Sequence, residues 1–173
     1  MNSIIKYITL GAIMVFCQIL VSEYVNIWAV LYIAVFPQFI ILLPPTINRS
    51  AYMLIAFVLG LSIDILADGV MGLNAAALTA MAYSRGPILK LIIPKASFEN
   101  YENHPIIPRT VEPYKLALLS GMMLAVFFTV YVLFDSAASF SFWYTVLKIA
   151  LCVAVNSIIT FVCNIVLMDK IFR

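Results

Sequence analysis

The sequence predicts an all-α integral membrane protein, a single polytopic domain (residues 1–173) with six transmembrane helices and both termini in the cytoplasm. Three observations predict it. Hydrophobic residues make up 65% of the chain and charged residues only 10%, whereas a soluble domain carries about 45–50% and about 25%. The apolar residues gather in continuous runs rather than alternating with polar ones, which selects helices over an outer-membrane barrel. Lysine and arginine fall on alternate connections, the bias that orients membrane helices. A mean hydropathy of +1.09 agrees.

Each span takes about 20 residues, and six runs can be marked in order. The first covers about Ile4–Val21 and ends at "SEYVN". Lys6 followed by apolar residues imitates a signal peptide, but no small-x-small cleavage site follows, so the segment is expected to stay attached. The second covers about Ile27–Leu43, with Pro37 inside it; Pro44-Pro45 stops it, because neither residue can continue a helix. The third covers about Ala51–Ala67. "DGVMG" then forms a tight turn of residues that tolerate positive φ. The fourth runs from about Gly72 to residue 93, with Gly86-Pro87 expected to break it and "ILKLIIPK" expected to lie along the membrane surface. A polar, proline-rich loop follows over residues 95–113. The fifth covers about Tyr114–Phe134, and the sixth about Trp143–Met168.

With both ends inside, Lys6, Arg49, Lys95, Arg109, Lys115, Lys170 and Arg173 share the cytoplasmic side, and Arg85 and Lys90 lean towards it. Only Lys148 lies near the other side, whose loops hold Glu23, Asp68 and Asp135. The positive-inside rule therefore turns "DGVMG" away from the cytoplasm.

A net charge of +2 gives no reason to expect nucleic acid as a partner. Cys17, Cys152 and Cys163 all sit in apolar runs with no CxxC or Cys/His cluster, so they read as buried, inert thiols rather than metal or disulfide sites. His104 is the only histidine and lies in the polar loop. No serine has a plausible His/Asp set, and there is no phosphate loop or dinucleotide fingerprint. The expectation is a chain with no catalytic residues, cofactor or metal, working as a binding or scaffolding module.

Polar residues inside the membrane are functional candidates, and they also glue helices together. Asp64 lies about four residues from the turn, roughly 6 Å deep at 1.5 Å per residue. Its first reading is an acceptor for turn amides or for the start of the fourth helix, since helix N-termini attract carboxylates. A partner contact and proton or ion coupling are the alternatives. Asp68-Gly69 reads as turn chemistry, with Asp68 capping a helix. Gly72, Asn74 and Ala75-Ala76-Ala77 make a slim face for close packing. Arg85 lies thirteen residues beyond Gly72, roughly 20 Å from the outer face, too far to reach Asp64; it is expected to snorkel to the cytoplasmic interface. Lys148, Cys152, Asn156, Thr160 and Asn164 are spaced four apart on the sixth span, a row that lines a cavity or packs against other helices, the latter being favoured. Gln18 and Gln38 are further candidates for such contacts.

"GLSIDILADGVMGLNAAAL" resembles the signature stretch of the rod shape-determining MreD family. The matching residues are Gly60, Leu61, Asp64, Gly72, Leu73 and Asn74, followed by "MAYSR" up to Arg85. Chain length, six spans and the double proline after the second span are similar too. The resemblance implies a non-enzymatic component of the bacterial cell-elongation complex, in the inner membrane. Its main partner would be MreC, with MreB, RodA and a class B penicillin-binding protein in the same assembly and lipid around it. It also implies a fold similar to the substrate-binding membrane subunits of energy-coupling-factor vitamin transporters. Such a subunit is the alternative function, and the Ala76/Ala80 spacing suits its partner face. A lipid-handling enzyme or flippase would need convergent charges at mid-membrane, and the sequence offers few. The extended loop over residues 95–113 departs from the family pattern and reads as a solvated linker. Asp64, Asp68, Gly72, Asn74 and Arg85 are the candidate structural or partner-contact residues.

Overall fold

The computed structural model describes residues 3–24, 31–45, 47–92, 112–135 and 141–164. They form α1 (Ser3–Tyr24), α2 (Pro37–Leu42), α3 (Arg49–Ile63), a π-helical turn (Asp64–Asp68), α4 (Leu73–Ile92), α5 (Pro113–Asp135) and α6 (Phe142–Cys163). Among the described residues there are four helices long and apolar enough to cross a membrane: Ile5–Tyr24, Arg49–Ala67, Pro113–Asp135 and Phe142–Cys163. This is the architecture of a multi-pass membrane protein. α4 has the length, at 20 residues, but Asn74, Ser84, Arg85, Gly86 and Pro87 dilute its apolar character.

α4 is the centre of the bundle. It packs against α3 on one side and α5 on the other, and α5 packs against α6. α1 leans on α3 and the π turn. Phe36 meets Phe127 edge-on at 5.6 Å between ring centres, and Tyr32 stacks on Tyr131 at 4.5 Å. Large apolar side chains such as Ile8, Phe16, Leu91 and Trp143 point outward, as lipid-facing residues do.

The second apolar run is not the continuous helix expected over Ile27–Leu43. Its described part is non-helical from Leu31 to Phe36 and helical only over the six residues of α2. Pro37 explains the change. It stands in the first turn of α2, where its missing N–H costs nothing, but in mid-helix it would remove a bond and clash with the carbonyl four residues back. Pro44-Pro45 closes the other end. The segment nevertheless passes through the whole bundle, from Ile33 beside Gln18 late in α1 to Leu43 beside Arg85 late in α4. Phe36 already has helical φ and ψ, so five extended residues at about 3.3 Å and seven at about 1.5 Å together reach about 27 Å, close to the thickness of a hydrocarbon core.

Gly86-Pro87 does not break α4, which continues to Ile92. Two features let the proline stay. Gly86 has no Cβ to collide with the proline ring. The carbonyl that an N–H at residue 87 would have bonded belongs to Tyr83, and Arg49 Nη2 donates to it at 3.2 Å. Residues 88–92 are therefore part of α4 rather than a surface segment, and residues 93–111 lie outside the described residues.

Gly60 sets the spacing of α3 and α4. A Cβ there would lie 2.5 Å from the Cα of Ala75 and 2.7 Å from its nitrogen. Both obstacles are backbone and cannot swing away. Gly60→Ala is expected to cost about 2 kcal/mol, read as a lower unfolding midpoint in detergent, whereas Gly121→Ala, whose Cβ would meet only Ser157 Oγ at 3.8 Å, should cost far less.

Candidate functional site: two buried polar clusters

The first cluster closes the α3–α4 hairpin. The π turn carries Asp64 inward, and Gly69 (φ 71°) and Gly72 (φ 94°) reverse the chain in conformations that suit glycine. Asp64 is fully buried. Its Oδ2 accepts from the N–H of Gly72 at 2.9 Å and of Ala75 at 3.1 Å, and its Oδ1 from that of Asn74 at 2.8 Å. These are the first amides of α4, which have no intrahelical acceptor, at the end where the helix dipole favours an anion. The first sequence reading of Asp64 thus matches the geometry. Gly72 serves as turn and cap, and the Asn74 side chain receives the Tyr32 hydroxyl at 3.5 Å. Asp68 ends the π turn; its side chain, and so its capping role, lies outside the described residues.

The second cluster holds the non-helical segment. Gln18 of α1 donates to the Ile33 carbonyl at 3.0 Å and accepts from the Val35 N–H at 2.9 Å. Asn156 of α6 donates to the Tyr32 carbonyl at 2.8 Å and accepts from the Ala34 N–H at 2.8 Å. One amide takes residues 33 and 35, and the other takes 32 and 34. That alternation is the pattern of an extended strand bonded on both edges, with each side-chain amide replacing a peptide group of a neighbouring strand. Gln38 donates to Asn164 at 2.9 Å, tying α2 to the end of α6.

Arg85 completes the grip. It is only 3% exposed, so it does not snorkel to the interface as expected. Its Nη2 donates to the carbonyls of Ile41, at 3.3 Å, and Leu43; its Nη1 donates to the Tyr52 hydroxyl, which in turn donates to the Pro44 carbonyl. α2 and the two prolines leave these carbonyls without amide donors, and a cation suits a helix C-terminus. Arg85 reaches inward because these acceptors surround its guanidinium. It does not meet Asp64, as depth arithmetic anticipates.

The α6 row faces inward: Lys148, Cys152, Asn156, Thr160 and Asn164 are all buried. Lys148 pairs with Asp135 across α5 and α6 at 2.7 Å. Sequence reasoning placed Asn156 and Gln18 at helix contacts but missed that they serve backbone, and it missed Tyr52 altogether. Pro37 in mid-run, among β-branched and aromatic neighbours, was the available signal. Cys17 and Cys163 are half-buried and Cys152 is buried, and none of the three is in a disulfide among the described residues. Among the described residues no three His, Cys, Asp or Glu side chains group to hold a metal; His104 lies outside them.

The fold and both clusters define a multi-pass helical membrane protein whose buried polar side chains bind its own backbone. The chain matches no family model, no curated protein and no solved structure.

Asp64→Asn presents an amide N–H₂ to at least one backbone N–H and removes the charge. It is expected to cost about 3 kcal/mol, seen as a lower unfolding midpoint and loss of assembly. Intact assembly with only transport or activity lost would instead point to proton coupling.

Proposed function

We propose that this chain is an MreD-like, non-enzymatic component of a bacterial cell-elongation complex in the inner membrane, supporting lateral peptidoglycan synthesis by binding MreC. MreB, RodA and a class B penicillin-binding protein complete the assembly. One observation carries the reading: the stretch that resembles the family is a built structural unit. Gly60 lies against Ala75, and Asp64 clasps Gly72, Asn74 and Ala75, so the resembling residues do structural work at one hairpin. In this reading six segments cross the membrane, the second one half-extended. Both termini are cytoplasmic, and the hairpin turn faces the periplasm.

The rigid clasp displays an apolar edge. Ile65, Leu66, Val70 and Met71 are 55–73% exposed around the turn, and we assign the MreC contact to them. A second reading has its own observation. At the same end a cavity of about 520 Å³ is lined by Gln18, Ser22, Glu23, Tyr32, Tyr131 and Asp135 among others, which suits a small polar ligand and the vitamin-transporter alternative. A stoichiometric small molecule in the purified protein would favour that reading.

Depletion in a rod-shaped host should produce round cells, and the protein should co-purify with MreC. Val70→Asp with Met71→Asp should leave the unfolding midpoint unchanged and cut MreC recovery by about tenfold or more. Normal cell shape on depletion, with no MreC recovered, contradicts the proposal.

A further inference from the structure

At the opposite end of the bundle from the hairpin turn, between the start of α3 and the end of α4, lies a cavity of about 470 Å³. Three cations line it: Arg49, Arg85 and Lys90. Among the described residues no carboxylate lines it. The charged acids with partners among the described residues are used elsewhere: Asp64 on the α4 amides, Asp135 on Lys148 and Glu112 on Lys115. Arg85 is buried at the cavity wall, and its Nε has no hydrogen-bond partner among the described residues. Arg49 is held in place, its guanidinium 3.7 Å from the centre of the Tyr83 ring. Lys90 is exposed at the rim. Three like charges around one cavity repel one another, and an anion there relieves the repulsion.

The remaining walls narrow the class of anion. Ile47, Ala82, Pro87 and Leu89 are apolar, and Tyr83 and Leu91 continue an exposed apolar surface along α4. A free inorganic anion has no use for such walls, but an amphiphile does. Basic pockets between membrane helices at the interface hold anionic headgroups.

From this cavity we infer that Arg49, Arg85 and Lys90 form a binding site for the phosphate headgroup of an anionic phospholipid, with its acyl chains along Tyr83 and Leu91. Arg85 then has two roles, holding the carbonyls of Ile41 and Leu43 and forming the charged floor of the lipid site. The orientation proposed above puts the site in the cytoplasmic leaflet, though the site itself does not depend on that.

The test uses the full-length protein in detergent, given phosphatidylglycerol or phosphatidylcholine with identical acyl chains, and native mass spectrometry to count retained lipids. One phosphatidylglycerol should be retained preferentially, and inorganic phosphate should not displace it. Lys90→Gln should weaken retention about fivefold, and Arg49→Gln with Lys90→Gln about twentyfold, at roughly one surface charge's attraction each. Lys90 is exposed and holds no other element, so Lys90→Gln should fold and is the deciding variant; Arg49→Gln also removes the donor to the Tyr83 carbonyl, so the double variant counts only with an unchanged unfolding midpoint, and Arg85→Gln is expected to unfold the α2 anchor. Equal retention of the two lipids, displacement by inorganic phosphate, or unchanged retention in Lys90→Gln or in the folded double variant would each overturn the inference.

Discussion

Backbone that is not helical must still be hydrogen-bonded inside a membrane protein, because lipid offers no partners. The rest of this structure depends on how residues 31–45 meet that constraint. Pro37, Pro44 and Pro45 deny the segment a long helix. Its exposed backbone groups are then taken one by one by Gln18, Asn156, Arg85 and Tyr52, which come from four different helices. An unpaired buried amide or carbonyl costs about 1–3 kcal/mol. Each of these side chains therefore fixes the register of its own helix against the segment, and the segment acts as the pin around which α1, α3, α4 and α6 assemble.

Asp64 solves a similar problem at a second place. A helix that starts inside the bundle exposes amides that no carbonyl can reach. The π turn adds the extra residue that swings Asp64 beneath them. Gly60 lets α4 come close enough for the bonds to form. The two clusters also touch, through the Tyr32 hydroxyl and the Asn74 side chain. The hairpin is thereby joined to the segment threaded through the bundle.

Much of this was legible in the sequence. Composition and continuous apolar runs point to a helical membrane protein, and the depth of Asp64 points to its role as acceptor for the next helix. The Lys148-to-Asn164 row faces inward as its favoured packing role requires. The errors share one cause. Hydropathy reports that a stretch is apolar, not whether it is helical, so Ile27–Leu43 reads as a span like any other. Once that segment is extended, its carbonyls become acceptors that no helix model contains. Arg85 turns inward to them, although depth alone sends it to the interface. Pro87 misleads in the same way: the rule that proline ends helices holds only while the freed carbonyl lacks another donor, and Arg49, 38 positions earlier in the chain, supplies one.

The central claim is that the second apolar segment crosses the bundle extended over Leu31–Val35 and is held there by side-chain amides. Backbone carbon chemical shifts of these residues in lipid bicelles test it most directly. Shifts typical of extended backbone from Leu31 to Val35, changing to helical values from Pro37 to Leu42, are the predicted result. Helical shifts running unbroken through Leu31–Leu43 would contradict it.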